Sequence, residues 1–117
     1  MSAYLVLLTT SPYHGSQFSE AIDLMLTLAA FDQSVSILIL DQAVWGFIDH
    51  QQIIDQRQST AGIIQGLSFY GIEQIYLEIE SMTQYHLKPD QFILPLQFIH
   101  RDQVNSLMNQ YTHLISL

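Results

Sequence analysis

Apolar residues are distributed along this chain in two rhythms, short unbroken runs and longer stretches with helical spacing. The runs Tyr4–Thr9 (YLVLLT) and Val35–Leu40 (VSILIL) have the continuous hydrophobicity of strands covered on both faces of a parallel sheet. Between them, a helix capped at Ser16 or Ser19 is predicted to run to about Phe31, with Glu20 and Asp23 near the positive end of its dipole. Phe18, Ala21, Ile22, Met25, Leu28 and Ala29 form its sheet-facing stripe. Leu24, Leu26, Ala30 and Phe31 carry apolar surface further round the cylinder, which calls for a second cover, either a neighbouring helix or another subunit.

After the second strand come Asp41–Trp45, a break at Gly46, and a polar, glutamine-rich excursion over Asp49–Thr60. A helix over Thr60–Tyr70 presents Ile63, Ile64, Leu67 and Tyr70 on one face and ends at Gly71. Ile72–Ile79 reads as strand three, with Ile75, Leu77 and Ile79 on one side and Tyr76, Glu78 and Glu80 on the other. A short helix Met82–His86, strand four at Phe92–Leu96, a helix Arg101–Tyr111 and strand five at His113–Leu117 complete the series. Pro95 restricts strand four to an edge or a strand end. The alternation predicts a single-domain α/β fold, a five-stranded parallel sheet flanked by helices with right-handed crossovers.

Composition narrows the function. The 117 residues suit one domain. Of these, 49% are hydrophobic and only 12% charged, so part of the surface is expected to meet another subunit. Arg57, Lys88 and Arg101 are the only basic residues against eleven acids, and the net charge is −8. A scattered basic set does not neutralise phosphates, so neither direct nucleic-acid binding nor an anionic membrane surface is expected. No run approaches the ~20 apolar residues of a membrane span, and Ala3–Leu8 is too short for a signal core. A cytoplasmic location is therefore expected. The chain has no cysteine, which excludes a thiol nucleophile, a thiolate metal site and persulfide carriage on this chain.

The loop Thr9–Ser16 offers backbone donors at a helix start but lacks a phosphate-loop glycine pattern. The histidines at 14, 50, 86, 100 and 113 have no metal-ligand spacing, and no metal or cofactor is expected. Glu78 and Glu80 are either an acid/base pair with separated pKa values or a solvated or interface-lining sheet edge.

Three stretches carry a resemblance: LLTTSPYHGSQFSEAIDLMLTLAAF, ILILDQAVW and GIEQIYLEIESMTQYHL, followed by a terminal strand–helix–strand. With the S-x-x-H-G loop at Ser11–Gly15 and the D-x-[AG]-V-[WF] segment at Asp41–Trp45, the whole chain resembles the DsrE/DsrF-like sulfur-relay family, most closely its TusC-like (DsrF-like) branch. The resemblance implies a cytoplasmic complex with TusB-like and TusD-like subunits, a dimer of heterotrimers, relaying persulfide sulfur toward 2-thiolation of the tRNA wobble uridine. In the Dsr branch of the family the corresponding role is sulfur oxidation. The sulfur-carrying subunit of the family has its cysteine where this chain has Glu78, so the chain is expected to be a non-catalytic member. Ser11, His14 and Gly15 then shape the carboxyl edge of the sheet and a subunit contact, as Phe31 does on its helix. Two other readings are a homo-oligomer binding a small ligand through His14, Asp41 and Trp45, and a hydrolase using Glu78 and Glu80.

Overall fold

The first strand, β1 (Ala3–Leu8), lies next to the centre of the sheet because both its faces are apolar: Leu5, Val6 and Leu8 have no exposed surface. The computed structural model describes residues 3–13, 15–48, 67–72, 74–92 and 96–117. Helix α1 (Gln17–Ala30) returns the chain to the amino edge, β2 (Ser34–Ile39) pairs with β1, and β3 (Ile75–Glu78) pairs with β2. Helix α2 (Ile79–Gln84) follows at once, then β4 (Gln97–Ile99), α3 (Val104–Met108) and β5 (His113–Ser116). The strands are all parallel, in the order β4-β3-β2-β1-β5, so the parallel α/β fold expected from the hydrophobic pattern is present.

The sheet divides two unequal cores. One face carries Val6, Leu8, Ile37, Ile39 and Leu77 against α1 and the 3-10 turn Asp41–Phe47, with Phe18, Met25, Val44 and Phe47 fully enclosed. The other carries Leu5 and Leu38 beneath Leu107 of α3, with only half-buried neighbours. On α1 the stripe Phe18, Ala21, Ile22 and Met25 is buried, Leu28 and Ala29 are half-buried, and Phe31 just beyond the helix is 73% exposed. Ser16 holds the N-cap position as predicted, but its hydroxyl donates to the Glu20 carboxylate (3.0 Å) rather than capping a backbone N–H.

Several boundaries differ from the hydrophobic reading. The strand that pairs with β3 is Gln97–Ile99; of the expected Phe92–Leu96, residues 93–95 lie outside the described residues, and Phe92 is buried as a core side chain, in an isolated antiparallel bridge to Ile48 and edge-on to Phe98 at 6.2 Å. Strand three is shorter than Ile72–Ile79, because Ile72 is a buried plug whose N–H donates to Leu67 O and Ile79 already begins α2. The short helix accordingly starts three residues earlier than Met82, and the helix proposed for Arg101–Tyr111 is a 3-10 turn, Arg101–Gln103, followed by α3. Leu67–Tyr70 is a 3-10 turn in which Leu67 is buried but Tyr70 is 53% exposed, and Gly71 follows with φ +84° as its terminator. The excursion Asp49–Thr60, the residues Ile63 and Ile64, and Pro95 lie outside the described residues.

Gly46 does not break the chain but sits within the Asp41–Phe47 turn, where the Phe18 ring packs on its Cα. A Cβ there would lie 2.3 Å from Phe18 Cζ, and that ring is already edge-on to Phe47 at 6.0 Å. Gly46→Ala is therefore expected to destabilise the fold by about 1–3 kcal/mol. Thermal denaturation measures this, and Phe18→Leu in the same background should recover part of the loss.

Candidate functional site at the carboxyl edge

In an open parallel sheet, ligands and chemistry gather where the strands end at their carboxyl termini. Here β3 ends on Glu78, a carboxylate with 4% of its surface exposed. The register sets Glu78 opposite Ile99 of β4, so Arg101, two residues further on, comes down over the carboxylate. Arg101 Nε donates to Glu78 Oε2 and Nη2 to Oε1, both at 3.0 Å, a two-pronged ion pair that fixes the guanidinium plane. The Ser81 hydroxyl also donates to Glu78 Oε1, and it accepts the Asp41 N–H at 2.8 Å. Ser81 is fully buried, and Asp41, whose N–H it accepts, holds a left-handed conformation (φ 52°). The ends of β2, β3 and β4 are thus joined through three side chains.

This arrangement fixes the charge state. Two hydrogen bonds from Arg101 hold the Glu78 carboxyl below its ordinary value of 4.5, burial opposes them, and the Ser81 hydroxyl adds to the lowering. The same pairing raises the Arg101 guanidinium further. Glu80 is not beside Glu78 on a strand face but on the first turn of α2, where its carboxylate accepts the Arg101 N–H at 2.8 Å and lies 3.6 Å from His100 Nδ1. Partial desolvation pushes the Glu80 pKa up, and the Arg101 N–H and His100 outweigh it, so it too is lowered. An acid/base pair needs pKa values driven apart, and both here move the same way. The pair therefore lacks the separation of pKa values that the hydrolase reading calls for. Glu78 is likewise no solvated edge residue.

On the β1 side, Thr9 donates both its N–H and its hydroxyl to Leu117 O at 3.0 Å, tying β5 to β1. Ser11 is 5% exposed and its Oγ accepts the Tyr13 N–H at 3.1 Å, so it shapes the turn from inside. Gly15 is exposed, with φ +76°. The Oγ1 atom of Thr10 is buried without a hydrogen-bond partner among the described residues. Asp41 is exposed and Trp45 is half-buried, packed edge-on to Tyr85 at 5.6 Å. Ser11, Gly15, Asp41 and Glu78 therefore share the carboxyl edge, whereas Phe31 lies at the opposite, amino edge, and His14 lies outside the described residues.

Arg101 and Ser81 were not singled out by the sequence. For Arg101 a signal was available: with strand four placed at Gln97–Ile99, the one arginine after that strand falls at the same edge as Glu78.

A small all-parallel α/β domain whose carboxyl edge is closed by a fixed ion pair is the class these features define. Residues 2–117 match the model of the DsrE/DsrF-like family, and the chain belongs to that family. A curated TusC homolog of Pseudomonas aeruginosa is 25% identical over 97% of this chain and 96% of its own length. One from Haemophilus influenzae is 29% identical over 89% and 90%. The crystal structure of the Escherichia coli ychN protein superposes with a TM-score of 0.86 at 9% identity over 100% of both chains, a likeness of fold. Among the described residues no helix is long and apolar enough to cross a membrane.

Replacing Arg101 by Met leaves burial as the main influence on Glu78, and its folded pKa rises. In the native chain the folded value lies below 4.5, so the stabilisation is present above that value and lost as pH falls through the folded one. The stability gap between native chain and Arg101→Met is thus expected to be widest at neutral pH and to close in acid. Urea denaturation at neutral pH and at about pH 3 measures it, pH values that bracket an ordinary carboxylate. A gap independent of pH would show that the guanidinium acts through packing alone.

Proposed function

We propose that this chain is the thiol-free, TusC-like subunit of a sulfur-relay complex, assembled with TusB-like and TusD-like chains as a dimer of heterotrimers in the cytoplasm. The carrying observation is a family match over residues 2–117 in a chain with no cysteine. Persulfide transfer needs a thiolate on the carrier, and the strand end where such a group would stand holds a carboxylate committed to Arg101. The chain's part is therefore to complete the assembly while a partner carries the sulfur toward 2-thiolation of the tRNA wobble uridine. The names of its curated relatives favour this branch over sulfur oxidation. With a net charge of −8 it leaves contact with the RNA to other subunits.

In a strain lacking this chain, 2-thiolation of the wobble uridine is expected to fall. Both the native chain and Glu78→Gln should restore it, read as the thiolated fraction of tRNA nucleosides by mass spectrometry. The glutamine keeps an acceptor for Ser81 and Arg101 while removing the charge. Should Glu78→Gln accumulate normally and co-purify with its partners yet leave thiolation absent, the carboxylate has a chemical role and the non-catalytic reading fails.

A further inference from the structure

The amino edge of the sheet carries exposed aromatic side chains at the end of α1 and in the turn before β3. Phe31, directly after α1, is 73% exposed; in the Leu67–Tyr70 turn Phe69 is 90% and Tyr70 is 53% exposed. Because α1 runs back against the strands and the Leu67–Tyr70 turn precedes β3 while packing on α1, all three aromatics stand at one end of the sheet. Exposed aromatics at one end of a sheet mark a contact surface.

Asp32 stands beside them in an unfavourable position. The Gln33 N–H donates to Leu28 O (3.2 Å) and the Asp32 N–H to Ala29 O (3.0 Å), the pattern that closes a helix with a left-handed residue, normally glycine. Asp32 takes that conformation with φ 62°. Its carboxylate also lies at the negative end of the α1 dipole, where a cation is favoured, and the last turn of α1 has no basic residue. Asp32 has no ion pair among the described residues. The isolated fold thus gains nothing from this aspartate that glycine would not supply better.

We infer that Phe31, Phe69, Tyr70 and Asp32 seat a different protein chain, one that offers an apolar contact flanked by a lysine or arginine. Charge selects the occupant. A second copy placed on the same patch by a twofold would bring two Asp32 carboxylates and two helix carboxyl ends into one interface without adding a cation from the patch, in a chain of net charge −8. A basic partner relieves both. The partner's chemistry follows from these residues; equating it with a TusB-like or TusD-like chain rests on the assembly proposed above.

The test measures association of the native chain, Phe69→Ser and Asp32→Gly with co-purified TusB-like and TusD-like chains, by titration calorimetry at two salt concentrations. Asp32→Gly should raise the Tm of the isolated chain by a few degrees, since it removes the left-handed strain. The same variant should weaken association by about tenfold and flatten its salt dependence. Phe69→Ser should weaken association without flattening it. A complex indifferent to both substitutions overturns the docking surface and leaves the sulfur-relay reading standing. Failure of the native chain to bind either partner overturns both. An isolated native chain that sediments as a dimer split by Phe69→Ser assigns the patch to a second copy and overturns the proposed occupant.

Discussion

An ionised carboxylate withdrawn from water needs a counter-charge and a hydrogen-bond donor on each oxygen, and at Glu78 these come from elements far apart in sequence. Arg101 reaches it from beyond β4, and Ser81 from the first turn of α2. Ser81 is in turn held by the Asp41 N–H from the end of β2. The strand order β4-β3-β2 is what makes this closure possible, since it sets β3 between the two elements that supply the partners. Arg101 also ties its own backbone N–H to Glu80, so one residue pins the turn after β4 to both acids of the β3–α2 junction. The edge where open α/β sheets usually bind ligands is thereby closed by the chain's own charges over β2, β3 and β4.

The two ends of the sheet consequently have opposite character. At the carboxyl edge the polar groups of Glu78, Ser81 and Arg101 are matched to one another, and tight matching leaves little for chemistry. At the amino edge Phe31, Phe69 and Tyr70 are exposed and Asp32 is unpaired among the described residues. This division accords with the proposed role of a subunit that contributes shape and contact to an assembly.

The fold was legible because β1 and β2 are apolar throughout and α1 carries an 18-21-22-25 stripe, patterns that local sequence dictates. Strand four was not, because the run FILPL is more apolar than the strand QFI that pairs with β3; Phe92 is buried by tertiary packing outside that strand, which periodicity cannot distinguish from a strand position. Gly46 read as a breaker for a similar reason: its need is for the absence of a Cβ under Phe18, a contact across 28 positions of chain. Of the site, the sequence singled out Glu78 and Asp41, but placed Glu80 beside Glu78 by extending a two-residue period past the point where α2 begins. Arg101 was counted as scattered charge, since the register that sets it over Glu78 exists only once β4 is placed. Ser81 carries no local sign of its role; its hydroxyl bridges Glu78 and an N–H forty residues away.

The central claim is that the group at the end of β3 is a committed ion-pair partner and not a reacting one. Carbon-13 NMR of the Glu78 side-chain carboxyl through an acid titration reads its charge state directly. The account predicts an inflection below 4.5, with the Arg101 Nε resonance following the same transition. An inflection above 4.5, uncoupled from Arg101, would make Glu78 a carboxyl available for proton transfer and contradict it.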